Sequence, residues 1–159
     1  MKFNGALKNL VLILFSTLLI SACSTAKKAA VDTVDDVYTG SDTIEFLAKG
    51  VPDRVFFATN KSKLTTRSRD TLRKQATFLR KNKDITVTLE GHADERGTRE
   101  YNLALGERRA NAAKDYLMTY GISGKRITVI SYGKEKPVNP ASTPLAWSQN
   151  RRSVTIKTN

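Results

Sequence analysis

From residue 53 to residue 156 the sequence alternates between short segments with the period of β-strands and longer segments with the period of α-helices. Residues 84–90 show the strand pattern most clearly, since apolar and polar side chains alternate there and one face would be buried. Residues 65–81 have apolar side chains at helical spacing. A second helix is predicted over residues 99–120, because Gly121 is a residue type that commonly ends helices.

Three further strands complete the predicted pattern, at residues 54–57, 127–130 and 154–156. A surface loop is predicted between the last two, because that stretch contains three prolines. The order β-α-β-α-β-β predicts an α/β (α+β) two-layer sandwich, in which a mixed sheet carries both helices on one face. About 105 residues are enough for such a domain to bury a core.

The first 22 residues are predicted to be a signal peptide rather than part of the fold. Lys2 and Lys8 give a positive start, an apolar run covers residues 10–20, and small residues precede Cys23. The apolar run is shorter than the roughly 20 residues of a membrane-spanning helix. The chain is therefore expected to be exported.

Cys23 is the only cysteine in the sequence, so no intramolecular disulfide can form. The stretch from Leu19 to Cys23 resembles a bacterial lipobox, in which the cysteine is lipidated and becomes the mature N-terminus. The alternative is an ordinary cleavage site with an unrelated cysteine beside it. Lipidation is predicted because the cysteine lies where the small-residue cleavage site must be. In such lipoproteins an aspartate after the cysteine commonly signals retention in the inner membrane, so by this resemblance Ser24 implies the outer membrane.

Residues 23–50 are predicted to be a lipidated N-terminus and a flexible tether, because they are mostly small, polar or charged. Valines recur every third residue from Val31 to Val37, which leaves a short helix or strand within residues 31–48 open. Residues 51–159 are predicted to form the folded domain.

The chain is strongly basic. Removing residues 1–22 takes away two lysines and no acids, which lowers the formal net charge from +12 to +10. Such an excess indicates an anionic partner, and after export an envelope polymer rich in carboxylates fits better than nucleic acid. Arg151, Arg152 and the basic first helix are interpreted as a solvated basic face, so no nucleic-acid partner is predicted.

The most informative block is GHADERGT at residues 91–98, which the second helix follows. Asp94 lies just after a strand, where loops collect binding groups. Arg109 on the helix shares a face with three other residues, Asn102, Leu105 and Gly106. A glycine inside a helix costs about 1 kcal/mol relative to alanine, which indicates close approach of a ligand or of another backbone.

An acid and an arginine held a short distance apart suit a zwitterion. Asp94 would bind the ammonium group, and Arg109 would bind the carboxylate through its two-pronged donor geometry. The alternative is an internal salt bridge between the two residues that braces the loop against the helix. Their spacing alone favours neither.

The same block, with YNLALGERRANA at residues 101–112, resembles the signature of the OmpA-like peptidoglycan-binding domain. The resemblance extends from about residue 55 to residue 156 and includes SYGKEKP and the closing NRR. Within that family the sequence is most similar to the lipoproteins of the Tol–Pal envelope system. The resemblance implies non-covalent attachment of the outer membrane to the wall, acylation of Cys23 that includes palmitate, a TolB-like periplasmic partner and a role in cell division.

In that family the aspartate matching Asp94 and the arginine matching Arg109 hold the meso-diaminopimelate of the wall's stem peptide. The resemblance implies a binding set of eight residues: Asp94, Arg109, Phe57, Ala58, Thr59, Asn60, Asn102 and Leu105. The family commonly has an acid or glycine at the position of Ala58 and often an aspartate at that of Asn60. Backbone contacts survive both differences, whereas contacts from a side-chain carboxylate do not.

Neither a metal site, a cofactor nor an enzyme is predicted. His92 is the single histidine, with no second histidine or thiolate nearby to complete a zinc-type set. No serine lies in a Gly-x-Ser-x-Gly elbow, and no complete glycine-rich phosphate loop is present. His92 is expected instead to order the binding loop by hydrogen bonding.

Three functions therefore remain to be compared. The first is a lipid-anchored module that binds the wall. The second is a wall-modifying hydrolase, for which the adjacent acids Asp94 and Glu95 are poorly placed to flank a glycosidic bond. The third is an exported basic domain that binds acidic polymers by charge alone. Replacing Asp94 with alanine should weaken binding of the first kind and leave the third unchanged or stronger.

Overall fold

The computed structural model describes residues 36–159, so the predicted signal peptide, Cys23 and the first part of the predicted tether lie outside the described residues. Six strands and three α-helices follow one another within them. Their order is β1 (Phe46–Ala48), β2 (Val51–Pro52), β3 (Arg54–Phe56), α1 (Thr66–Lys81), β4 (Val87–His92), α2 (Arg99–Thr119), β5 (Ile127–Gly133), α3 (Pro144–Asn150) and β6 (Arg152–Lys157). None of these helices is both long and apolar enough to cross a membrane.

Four strands form one mixed sheet in the order β3–β6–β4–β5. Strand β6 is antiparallel to both of its neighbours, with Ser153 opposite Val55 and Val154 opposite Glu90. Strands β4 and β5 run parallel, and α2 supplies the crossover that parallel neighbours require. The predicted mixed sheet is thus confirmed. Strands β1 and β2 form a separate antiparallel hairpin.

The core lies between one face of the sheet and helices α1 and α2. Val87 and Leu89 of β4 are 1% and 0% exposed. They belong to one apolar cluster with side chains from both helices: Leu72, Ala76, Leu79, Ala110, Ala113 and Leu117. Each fully buried valine or leucine contributes roughly 1.5–3 kcal/mol to stability. The predicted placement of both helices on one face is therefore confirmed.

Capping interactions explain where the two long helices begin and end. The Thr65 side chain accepts a hydrogen bond from the Ser68 backbone N–H, and the Thr98 side chain accepts one from Tyr101. Helix α2 is followed by Gly121, whose φ of 82° lies in the left-handed region. Both predicted helices are confirmed to within one residue at each end.

Several predicted boundaries differ from the structure, since β5 continues three residues past residue 130 and β6 begins two residues before residue 154. The strand predicted at residues 84–90 spans Val87–His92, because the chain turns first and the Ile85 N–H donates to the Asn82 carbonyl. The proline-containing stretch predicted as a loop includes α3, which is capped by Thr143 and begins at Pro144. Proline suits a first helical turn, since the N–H that it lacks would have no partner within the helix.

The segment before β2 packs on the domain from Asp36 onward, whereas the sequence predicts a tether through residue 50. Tyr38 is 6% exposed, and its ring meets that of Phe56 edge to face with centroids 4.8 Å apart. Leu47 is 4% exposed. Two isolated apolar side chains and a short hairpin hold this segment, which is too little apolar sequence to produce a periodic pattern.

Candidate functional site

Helix α2 lies directly on strand β4 at two glycines. A Cβ built on Gly91 would lie 1.8 Å from the carbonyl oxygen of Gly106, and one built on Gly106 would lie 2.4 Å from Ser131 Oγ. The glycine inside the helix therefore permits close approach of two backbones, one of the two reasons expected from the sequence. This contact sets the distance between Asp94, just after β4, and the helix face that carries Arg109.

The Arg109 side chain lies in the interior, with 0% of its surface exposed. Its guanidinium donates three hydrogen bonds to backbone carbonyls: Nε to Lys61 at 2.9 Å, Nη1 to His92 at 2.8 Å and Nη2 to Ala58 at 3.1 Å. Burial, followed by the charge of Arg151, lowers the pKa of Arg109 to about 10, against the attraction of Asp94. Arg109 is therefore a cation at neutral pH, and it ties the loop after β3 to the end of β4.

Asp94 lies at the edge of the interior and accepts hydrogen bonds from two arginines. Its Oδ1 accepts from the backbone N–H of Arg96 at 3.1 Å and from Nε of Arg96 at 3.0 Å. Its Oδ2 accepts from Nη2 of Arg96 at 2.7 Å and from Nη1 of Arg151 at 3.4 Å. Burial alone would raise the pKa of the Asp94 carboxyl, but the two arginines outweigh it, and the pKa lies below its usual value. Asp94 is thus a carboxylate at neutral pH.

Asp94 and Arg109 belong to one charged group without pairing directly. Within residues 36–159 the cationic partners of Asp94 are Arg96 and Arg151, and Arg109 donates only to carbonyls. The internal Asp94–Arg109 salt bridge that the sequence left open is therefore not formed. Arg151 connects the two residues, because it hydrogen-bonds to Asp94 and its charge lowers the pKa of Arg109.

The loop after β3 brings the predicted residues Phe57, Ala58, Thr59 and Asn60 to this group. The Phe57 ring centroid lies 5.3 Å from Cζ of Arg109, and the Phe57 carbonyl accepts from Arg151 Nε at 3.0 Å. Asn60 has a φ of 56°, a left-handed conformation that asparagine adopts more readily than most residues. Carbonyls of this loop are therefore occupied by the buried arginines.

Asn102 and Leu105 support the site from α2 rather than line its surface. They are 2% and 3% exposed. The side-chain amide of Asn102 donates to the Arg96 carbonyl at 2.9 Å, which fixes the loop that follows Asp94. Their predicted place on the helix face is observed, and both side chains point into the structure.

Three residues at the site are not among the predicted ones: Asp36, Arg96 and Arg151. Arg96 and Arg151 belong to the GHADERGT and NRR motifs, so the sequence held a signal for both. Asp36 had no such signal. Its carboxylate accepts the Thr59 N–H at 2.7 Å across 23 residues of sequence, a contact that no local pattern reveals.

A cavity of about 410 Å³ opens beside this charged group, lined in part by Asp36, Thr59, Arg96, Trp147 and Arg151. The Arg96 guanidinium lies 4.3 Å from the Trp147 ring centroid, and Trp147 Nε1 donates to Glu95 at 2.8 Å. A larger groove of about 820 Å³ runs along α1 but touches none of the predicted site residues. Charge and position therefore place the candidate site at the smaller cavity.

The His92 side chain points to the sheet face opposite the helices. It is 1% exposed, its Nε2 lies 3.3 Å from a Glu90 carboxylate oxygen, and its ring stacks on Tyr132. The backbone carbonyl of His92, rather than its imidazole, joins the site through Arg109. Among the side chains of residues 36–159, no three potential metal ligands of the His, Cys, Asp or Glu type come close enough to hold an ion.

Burial of His92 predicts a pH dependence of stability. Burial, with the charges of Arg152, Lys136 and Arg54, lowers the His92 pKa to about 3. Between pH 6.5 and pH 4.5 the unfolded chain takes up a proton that the folded chain does not, so stability should fall by about 2 kcal/mol as pH falls. Urea unfolding at the two pH values measures this loss. His92 is the only histidine. The His92→Gln variant should therefore not show this fall in stability between pH 6.5 and pH 4.5. An equally large fall in the variant would contradict a lowered His92 pKa as its cause.

Known proteins resemble this chain over its folded part. Residues 56–151 match the model of the OmpA family. The peptidoglycan-associated lipoprotein of Brucella melitensis is 40% identical over 152 residues, covering 92% of this chain and 90% of the relative. The peptidoglycan-associated lipoprotein of Rhizobium meliloti is 54% identical over 106 residues, which cover 67% of this chain and 60% of the relative. The match therefore spans less than two thirds of the relative's length. The crystal structure of the peptidoglycan-associated lipoprotein from Burkholderia pseudomallei has a TM-score of 0.65 at 33% identity, covering 67% of this chain and 90% of that one.

Proposed function

The chain belongs to the OmpA family, and on that basis we propose that it is a lipid-anchored protein of the outer membrane that binds peptidoglycan without covalent bonds. The resemblance to that family predicted from the sequence is confirmed by the family model and the relatives. The name shared by those relatives supports both parts of the proposal, association with peptidoglycan and attachment to a lipid.

The observation that carries the proposal is a cavity lined by Arg96 and Arg151, the two cations that hold the ionised Asp94. Arg151 is 3% exposed, and its charge acts on Arg109, which is 0% exposed. A zwitterionic amino-acid end, such as that of meso-diaminopimelate in a stem peptide, carries one group for each sign of charge. The ammonium group binds Asp94 in place of Arg96, whose side chain is 41% exposed and therefore able to move aside.

The carboxylate of the ligand is placed on the side of Arg109 and Arg151. Arg151 lines the cavity, whereas Arg109 is buried with three of its five N–H donors on carbonyls and adds its positive charge from behind. The loop at residues 57–60 contributes backbone groups, and Asn102 and Leu105 hold the helix face in position behind the site. A cation shielded from water binds a carboxylate more strongly than an exposed one.

The remainder of the proposal rests on the N-terminal sequence and on family membership. Cys23 is acylated, residues from Cys23 onward connect it to the domain, and the domain faces the periplasm. A TolB-like periplasmic protein is the second partner, and the assembly acts in envelope constriction during division. Several acyl chains on one cysteine would hold the protein firmly, whereas a single chain gives only marginal membrane binding.

The hydrolase alternative is disfavoured by the state of the two adjacent acids. A glycosidase needs one carboxyl with a raised pKa to protonate the leaving group. Hydrogen bonds from Trp147 and Ser142 lower the pKa of Glu95, and the pKa of Asp94 is also lowered. Neither carboxyl is therefore suited to act as a general acid at neutral pH, and we propose binding without turnover.

We expect Asp94→Asn to weaken binding to the wall about tenfold or more, because it removes the charge of a hydrogen-bonded carboxylate at the site. The full chain, kept in mild detergent, is co-sedimented with insoluble peptidoglycan at physiological salt. Free meso-diaminopimelate is added as a competitor. Binding of the wild type should fall with the competitor, and binding of the variant should be low without it.

Asp115→Asn is the matched control, since Asp115 is exposed on α2 and its loss changes the net charge equally. This control should bind as the wild type does. If binding depended on charge alone, Asp94→Asn would not weaken it. Removing a negative charge would then leave both variants bound to peptidoglycan at least as well as the wild type. Release of soluble fragments from the wall would instead support the hydrolase.

A further inference from the structure

The carboxylate of Asp36 occupies one side of the candidate site. One of its oxygens accepts the Thr59 N–H at 2.7 Å and lies 3.5 Å from Nη2 of Arg151. Arg151 also donates to the Asp36 backbone carbonyl. Burial would raise the pKa of the Asp36 carboxyl, but the Thr59 hydrogen bond and the charge of Arg151 outweigh it and keep the pKa below its usual value. The chain thus presents an ionised carboxylate of its own to the site.

The groups that hold Asp36 are groups that the ligand would need. Arg151 hydrogen-bonds to Asp94, and its positive charge lies close enough to the buried Arg109 to lower the pKa of Arg109; Thr59 belongs to the predicted binding loop. Asp36 and Thr59 line the same 410 Å³ cavity. A carboxylate of a ligand placed beside Arg151 would therefore meet Asp36 in the same position, and two carboxylates so close together repel each other.

Two features of the segment around Asp36 favour its release. The Asp36 side chain remains 37% exposed. Its second carboxylate oxygen and the Tyr38 hydroxyl are both buried without a hydrogen-bond partner. Buried polar groups without partners favour release into water. The contacts made by Thr59 and Arg151 and the packing of Tyr38 on Phe56 hold the segment, while these two unpartnered atoms oppose it.

We propose that Asp36 is an internal competitor for the ligand's carboxylate, so that the wall binds by displacing it and by detaching the segment that carries it. This inference rests on the proposed function, because it names how the same site is regulated. The contacts that the Asp36 carboxylate gives up are replaced, because the ligand's carboxylate accepts the Thr59 N–H and pairs with Arg151. Detachment up to Phe46 would add about 30 Å of extended chain to the tether.

Calorimetric titration of the full chain in mild detergent with free meso-diaminopimelate tests the competition. Asp36→Ala should bind roughly tenfold more tightly than the wild type, because the binding-competent state no longer requires release of Asp36. Glu45→Ala is the matched control, since Glu45 is 83% exposed and its loss changes the net charge equally. The control should stay within about twofold of the wild type.

Cleavage by chymotrypsin after Tyr38 gives a second readout that does not depend on a variant. Tyr38 is buried in the described structure, so cleavage there should be slow without ligand and at least several-fold faster at saturation. The Asp36→Ala variant should be cleaved quickly in both conditions. Mass spectrometry distinguishes this cut from cuts at other aromatic residues.

The outcomes separate this inference from the proposed function. If neither the wild type nor Asp36→Ala binds meso-diaminopimelate, the proposed site fails and the inference fails with it. If both bind with the same affinity and Tyr38 stays protected at saturation, the site stands and the internal competitor is refuted. Tighter binding by Glu45→Ala as well as by Asp36→Ala would show a general charge effect and would also overturn the inference.

Discussion

Replacing Arg109 with alanine should destabilise the domain by about 3–5 kcal/mol. The guanidinium is fully buried and donates to the carbonyls of Lys61, His92 and Ala58. Its removal leaves these three carbonyls without their donor and opens a cavity under the loop after β3. Thermal and urea unfolding of the variant measure the loss. Weaker peptidoglycan binding by this variant would therefore combine lost contacts with lost stability.

Arg108→Ala is the control for this prediction, because Arg108 is the preceding residue on α2 and is exposed. Its guanidinium has only a distant contact with an aromatic ring, 6.0 Å from the Tyr101 centroid. We expect the control to change stability by less than about 0.5 kcal/mol. An Arg109→Ala variant as stable as this control would show that the three carbonyls find other donors, which would remove the structural role given to Arg109.

Replacing Gly91 with alanine should cost about 3 kcal/mol or more, since the added methyl group would overlap the Gly106 carbonyl oxygen at 1.8 Å. Both atoms belong to rigid elements, so relief requires β4 and α2 to move apart. That movement would also separate Asp94 from Arg109. The variant should therefore lose both stability and peptidoglycan binding, which unfolding curves and co-sedimentation measure in parallel.

Gly124→Ala provides the comparison for this substitution. A Cβ at Gly124 would meet only the flexible ends of Met118 at 3.4 Å and Lys114 at 3.9 Å, and the residue is not among the glycines with positive φ. Its stability should stay within about 1 kcal/mol of the wild type. Equal stability of Gly91→Ala and Gly124→Ala would contradict the close contact between the strand and the helix.

Local patterns were sufficient to predict the elements that carry the site. The helix from residue 99 follows from its cap, its periodic face and Gly121, and the sheet follows from alternation at residues 84–90. Helix α3 was not predicted because the three prolines of this stretch were interpreted as loop residues. One of them, Pro144, occupies the first turn of the helix. Helices and strands could therefore be predicted where their signals lie among residues that are close in sequence.

The interactions within the site could not be predicted in the same way, because they join distant parts of the chain. The interpretation of Arg151 as part of a solvated basic face is wrong, since Arg151 is 3% exposed and its contact with Asp94 spans 57 residues. The donors of Arg109 reach carbonyls 17, 48 and 51 residues away. The sequence predicted that Asp94 and Arg109 lie near each other, whereas the direct pairing of Asp94 with Arg96 depends on the loop conformation after β4.

The position of the last strand determines when this domain can fold. Strand β6 is the last element of residues 36–159, yet it lies inside the sheet between β3 and β4. Within the described residues β3 pairs in that sheet only with β6, so the first core strand gains its partner only when residues 152–157 become available. In a chain that emerges N-terminus first, β3 would therefore stay unpaired until residues 152–157 have emerged, which makes its pairing a late, long-range step of folding.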